Sequence, residues 1–154
     1  CYSLMQGYWD DPEKTAQTID ADGWIHSGDL AAMDEEGYVS ITGRIKDMVI
    51  RGGENISPRE IEEFLYRHPA IQDAQVIGVS DRKYGEELCV WIVPRADATI
   101  SEDDIRAFCD GQIARYKIPR YIRFVDGFPM TLSGKVQKFK MREVMEEELT
   151  LTVC

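Results

Sequence analysis

The run Pro129-Met130-Thr131-Leu132-Ser133-Gly134-Lys135 ends in a lysine whose setting invites chemistry. A Walker-type phosphate loop needs a glycine five residues before its second glycine and Ser or Thr after the lysine, and Pro129 and Val136 stand at those places. That reading is excluded. What remains is a point cation with three donors on a glycine-containing loop, suited to bridging negative oxygens. A solvated surface lysine fits the same residues and is the commoner occurrence.

Other polar residues pose the same choice. Asp29 follows a Ser-Gly turn, where a carboxylate commonly satisfies nearby backbone donors, and by residue type alone that is the preferred reading. Arg44 could pair on the surface with Asp47 or Glu54. Lys46 has nothing in its chemistry to separate it from any exposed lysine. Gly52-Gly53-Glu54-Asn55 reads as a tight turn between a strand and a helix, where two glycines permit positive φ and close approach to a partner.

The elements that must position these residues follow from pattern. Asp11-Pro12-Glu13 starts a short helix through about Ile19, and Leu30 to Asp34 and Tyr38 to Thr42 bracket Glu35-Glu36-Gly37 as a hairpin. Ser57, Pro58 and Glu60 make a capping box before a helix that places Ile61, Phe64 and Leu65 on one face. Ala74 to Val79 and Leu88 to Val93 are buried strands. Ser101 caps a helix with Ile105, Phe108, Cys109 and Ile113 as its apolar face, Tyr121 to Val125 is a further strand, and Lys138 to Leu149 is a terminal helix. The expected class is α+β: a small mixed β-sheet flanked by helices, preceded by a helix and β-hairpin that form the remnant of a larger N-terminal domain.

The chain of 154 residues carries a net charge of −10, the opposite of a basic nucleic-acid footprint. Its four cysteines, Cys1, Cys89, Cys109 and Cys154, are scattered without a Cys-x-x-Cys pair and indicate neither a zinc site nor a disulfide framework. Apolar runs such as Cys89 to Val93 fall far short of the roughly 20 residues that cross a bilayer. A cytoplasmic location is expected, with peripheral membrane contact as its variant. A first residue of cysteine implies a cut from something longer.

Taken in order, Asp29, the run Gly43-Arg44-Ile45-Lys46-Asp47, the Gly52-Gly53-Glu54-Asn55 loop with Ser57-Pro58-Arg59-Glu60-Ile61-Glu62, and the loop ending in Lys135 resemble the C-terminal part of an adenylate-forming enzyme, closest to the fatty acyl-CoA synthetases. The resemblance covers nearly the whole chain and implies three parts. Residues 1–43 are the edge of a large N-terminal adenylation domain, 44–150 a mobile C-terminal domain and 151–154 a tail. It implies ATP, Mg2+ and CoA, with no metal held by this chain's own residues. By the same resemblance Lys135 spans the acyl carboxylate and the α-phosphate, Asp29 holds the ribose hydroxyls, Arg44 reaches the nucleotide and Lys46 is the hinge. Gly52, Gly53 and Glu54 then line the pantetheine channel, while Met130 and Asn55 depart from basic residues found in many relatives. The partners are the N-terminal adenylation domain and a fatty acid or other carboxylate. The rival readings are an adenylating enzyme that delivers to a carrier protein and a non-catalytic binding or regulatory module.

Overall fold

The computed structural model describes residues 3–152, so Cys1 and Cys154 and the end of the expected tail lie outside the described residues. The chain divides into two compact units, Cys1–Lys46 and Asp47–Cys154.

In the first unit, helix α1 (Pro12–Thr18) starts where Asp11 accepts from the Lys14 N–H at 2.9 Å and proline occupies the first turn. Strands β1 (Asp29–Met33) and β2 (Val39–Arg44) form an antiparallel hairpin. α1 buries no residue, and Trp9 (98 % exposed), Trp24, Met33, Tyr38 and Val39 are all exposed. With so little apolar surface removed from water, the described residues of this unit form no core of their own.

The second unit is built on a five-stranded sheet. Its strands are β3 (Val49–Arg51), β4 (Glu54–Ile56), β5 (Ile71–Asp81), β6 (Gly85–Pro94) and β7 (Tyr121–Phe124), in the order β4-β3-β6-β5 with β7 parallel to β6 and all other pairs antiparallel. Alternate residues of β5 and β6 feed two cores. Val76, Leu88, Val90 and Ile92 pack with Ile61 and Leu65 of α2 (Pro58–Leu65) and with Ile105 and Cys109 of α3 (Glu102–Cys109). Ile77, Val79, Cys89 and Trp91 pack with Met141 and Met145 of α4 (Lys138–Thr152). Burial on both faces explains why these strands read as continuous apolar runs rather than as an alternation. It also keeps the thiols inert: burial pushes Cys89 up to about 12 and Cys109 up to about 11.

Three local expectations need correction. Ser57 takes the N-cap position of α2 with extended backbone, but its side chain makes no cap hydrogen bond and Glu60 reaches Lys117 instead. Pro58 already presets the first turn, and a cation draws the carboxylate away. The capping box forms at α3, where Ser101 and Asp104 bond reciprocally. α3 also ends at Cys109, before Ile113, which still packs on the core from the following loop. Lastly, the glycine pair does not lead directly into a helix, because strand β4 intervenes.

Candidate active site

Asp29 and Arg44 face each other at the open end of the β1–β2 hairpin, as a register pair. The Arg44 Nε donates to Asp29 Oδ1 at 2.8 Å. The Asp29 N–H donates to Ser27 Oγ at 3.1 Å, which fixes the turn ahead of the strand. The pairing register shifts between Leu30 and Ala31, one residue from Asp29. Such bulges re-aim side chains at functional sites. The pair therefore offers a carboxylate acceptor beside guanidinium donors, a set that fits hydroxyls and an anionic group together. Lys46 lies in the 3-10 turn Ile45–Asp47, exposed, at the residue where the first unit ends.

In the second unit, β3 and β4 pair Arg51 with Glu54, leaving Gly52-Gly53 as a two-residue turn. Their φ values of +59° and +91° are those a tight primed turn demands and that side chains disfavour. Gly52, Gly53, Glu54 and Asn55 are all exposed, so the turn presents bare backbone to solvent.

Lys135 sits on a second tight hairpin. The Thr131 N–H donates to the Lys135 carbonyl at 2.8 Å, the Gly134 N–H to the Thr131 carbonyl at 3.0 Å and the Lys135 N–H to Thr131 Oγ1 at 3.0 Å. Gly134 turns the chain with φ +77°. Below the turn, Phe128 and Val136 pack on the α4-side core, and the Gln137 N–H donates to the Pro129 carbonyl at 2.8 Å. The base is fixed while Lys135 is exposed, its ammonium without a hydrogen bond or ion pair among the described residues.

Sequence reading missed what anchors this loop. Lys138, the first residue of α4, donates to Glu62 Oε1 at 2.7 Å and to the Val76 carbonyl at 3.2 Å. Glu62 in turn accepts from the Val76 N–H at 2.8 Å, and Arg142 Nε donates to the Gly78 carbonyl at 2.8 Å. β5 is an edge strand, so these side chains satisfy backbone groups no neighbouring strand can reach. Partners 76 residues apart leave no local signal. Elsewhere in the unit, Lys117 pairs with Glu60 and Arg120 with Asp81. Among the described residues of the second unit, no hydrogen bond or ion pair joins Lys135 to the glycine turn. No cluster of three or more His, Cys, Asp or Glu among the described residues could hold a metal ion.

Residues 60–135 match the family described as the AMP-binding enzyme C-terminal domain. The chain belongs to this family of adenylate-forming enzymes and carries its C-terminal domain. Within the family it is 55 % identical over 150 residues to the rat mitochondrial medium-chain acyl-CoA ligase ACSF2, covering 97 % of this chain and 24 % of that protein. Its fold matches ATP-bound MatB from Rhodopseudomonas palustris with a TM-score of 0.88 at 41 % identity, over 93 % of this chain and 28 % of that one. It also matches a Mycobacterium tuberculosis fatty acyl CoA synthetase with a TM-score of 0.70 at 37 % identity, over 94 % and 28 %. The chain thus spans about a quarter of the length of the curated relatives it matches.

Proposed function

We propose that this chain is the mobile C-terminal domain, with the last edge of the preceding adenylation domain, of an ATP-dependent fatty acyl-CoA synthetase. The boundaries we assign are residues 1–43 and 44–150. The observation that carries the proposal is Lys135, an ammonium unpaired among the described residues, on a hairpin whose base is fixed by core packing and backbone hydrogen bonds. Preorganised charge of this kind is suited to stabilising a transition state.

In the first step a carboxylate oxygen attacks the α-phosphorus of ATP and pyrophosphate leaves, with Lys135 bridging the two sets of oxygens. Asp29 accepts from the ribose hydroxyls through the oxygen that Arg44 does not occupy, and Arg44 turns its remaining donors to the nucleotide. In the second step the CoA sulfur attacks the acyl carbonyl and AMP leaves, past the slim backbone of Gly52, Gly53 and Glu54. Lys46 absorbs the backbone rotation between steps. Mg2+ accompanies the phosphates of ATP; this chain offers no ligand cluster for it among the described residues.

The rat and Mycobacterium tuberculosis proteins are named for acyl-CoA ligation, which supports a fatty acyl substrate. No helix among the described residues is long and apolar enough to cross a membrane. Cytoplasm remains our reading for location, although the rat relative is named as mitochondrial.

The 154 residues alone are expected to perform no adenylation, because they span so small a share of their relatives. Complementation tests the proposal: the chain is fused to the N-terminal domain of a related synthetase, and AMP release is followed with fatty acid, ATP and CoA. Release that requires all three supports the synthetase reading. A folded fusion that releases no AMP, or that works without CoA, contradicts it.

A further inference from the structure

Val49 of β3 and Ile56 of β4 root the two strands of the glycine turn in the core, while the turn itself is exposed and has few hydrogen bonds to its surroundings. β4 is an edge strand paired only with β3, and β3 meets β6 at a single register pair, Arg51 with Gly85. Beside that pair, the Gly52 N–H donates to the Tyr84 carbonyl at 2.8 Å and the Ile50 N–H to Glu86 Oε2 at 2.7 Å.

At the same place lies the most deeply buried charge among the described residues. Glu87 is 1 % exposed, and Arg51 grips it at two points, Nε to Oε1 and Nη2 to Oε2 at 3.0 Å. Glu87 Oε1 also accepts from the Leu88 N–H at 3.0 Å, and the Arg51 guanidinium lies 4.3 Å from the centre of the Tyr84 ring. A buried ion pair is a poor way to gain stability, since apolar residues of the same volume hold a core equally well. A forked contact does add direction, fixing the orientation of both groups. Arg51 immediately precedes Gly52, so the turn inherits that orientation.

We propose that Arg51 and Glu87 are positioning residues for thioester formation, setting the attitude of the Gly52-Gly53 turn toward the incoming thiol, and that adenylation does not depend on them. This rests on the reading of the turn as the thiol-side loop given above.

The test uses the whole parent enzyme. Arg51→Lys keeps the charge but loses the fork, and the double variant Arg51→Gln with Glu87→Gln removes both charges without stranding a buried one. Thioester formation is measured from supplied acyl-adenylate and CoA, and adenylation by ATP–pyrophosphate exchange. Both variants should lose about 10- to 100-fold in kcat/KM for CoA, the scale of a small misplacement, while exchange runs at the parent's rate. Equal losses in the two half-reactions would reduce the pair to a structural brace and overturn the inference. Gly53→Val separates the two layers of the argument. If it stops thioester formation while both anchor variants run normally, the inference alone fails; if it leaves thioester formation intact, the reading of the turn fails with it.

Discussion

Replacing Lys138 with Met would remove the cation that ties the start of α4 to α2 and β5. Glu62 is only 8 % exposed and would keep the Val76 N–H as its single hydrogen-bond donor, and the Val76 carbonyl would lose Lys138. Stranding one member of a buried pair costs about 3–5 kcal/mol. Urea unfolding followed by circular dichroism reads this directly, as a lowered midpoint at unchanged slope. A second variant, Lys138→Met with Glu62→Gln, leaves no buried charge, while the new amide oxygen can still accept from the Val76 N–H. It should recover more than half of the loss. A single-variant cost below about 1 kcal/mol, the range of exposed pairs, would refute the reasoning that this contact is a buried anchor.

Gly78→Ala should destabilise by about 1–3 kcal/mol through overpacking, because the new Cβ would lie 2.9 Å from Glu86 Oε1 and 3.2 Å from Val49 Cγ1; an unchanged urea midpoint would contradict this. Acid should loosen the β5–β6 turn. The Tyr84 and Lys83 N–H groups hold the Asp81 carboxyl below its usual range. A depressed folded pKa means that the contribution is fully present above the unfolded value and is lost as pH falls through the folded one. Tyr84 amide exchange should therefore accelerate below about pH 4 and become insensitive to pH, beyond intrinsic exchange, in Asp81→Asn. Identical profiles for the two proteins would count against it.

Much of the fold is legible in sequence because local signals agree with tertiary demand. The apolar runs around Ala74 and Leu88 are the two long strands β5 and β6, of which only β6 is interior to the sheet, and Pro12 and Pro58 mark the first turns of helices. β4 escapes because it has three residues, two of them exposed, and borrows its identity from pairing with β3. The Ser57 cap fails for a similar reason: Glu60 has a distant competitor in Lys117, 57 residues away. Around the candidate site, Asp29, Arg44, the glycine turn and Lys135 are picked out by the family resemblance, whereas their residue types alone favour solvated or turn-forming side chains. The supports beneath them, Glu62 with Lys138 and Arg51 with Glu87, join residues distant in sequence. The pairing of Arg44 with Asp29 likewise comes from strand register, which spacing does not reveal.

The central claim is that Lys135 serves adenylation and the glycine turn serves thioester formation. The most direct measurement is Lys135→Ala in the whole parent enzyme, with the half-reactions assayed separately. The account predicts a fall in ATP–pyrophosphate exchange of about 10²- to 10³-fold, as for one preorganised electrostatic contact, with thioester formation from supplied acyl-adenylate retained. Equal loss in both half-reactions, or none in exchange, would contradict it.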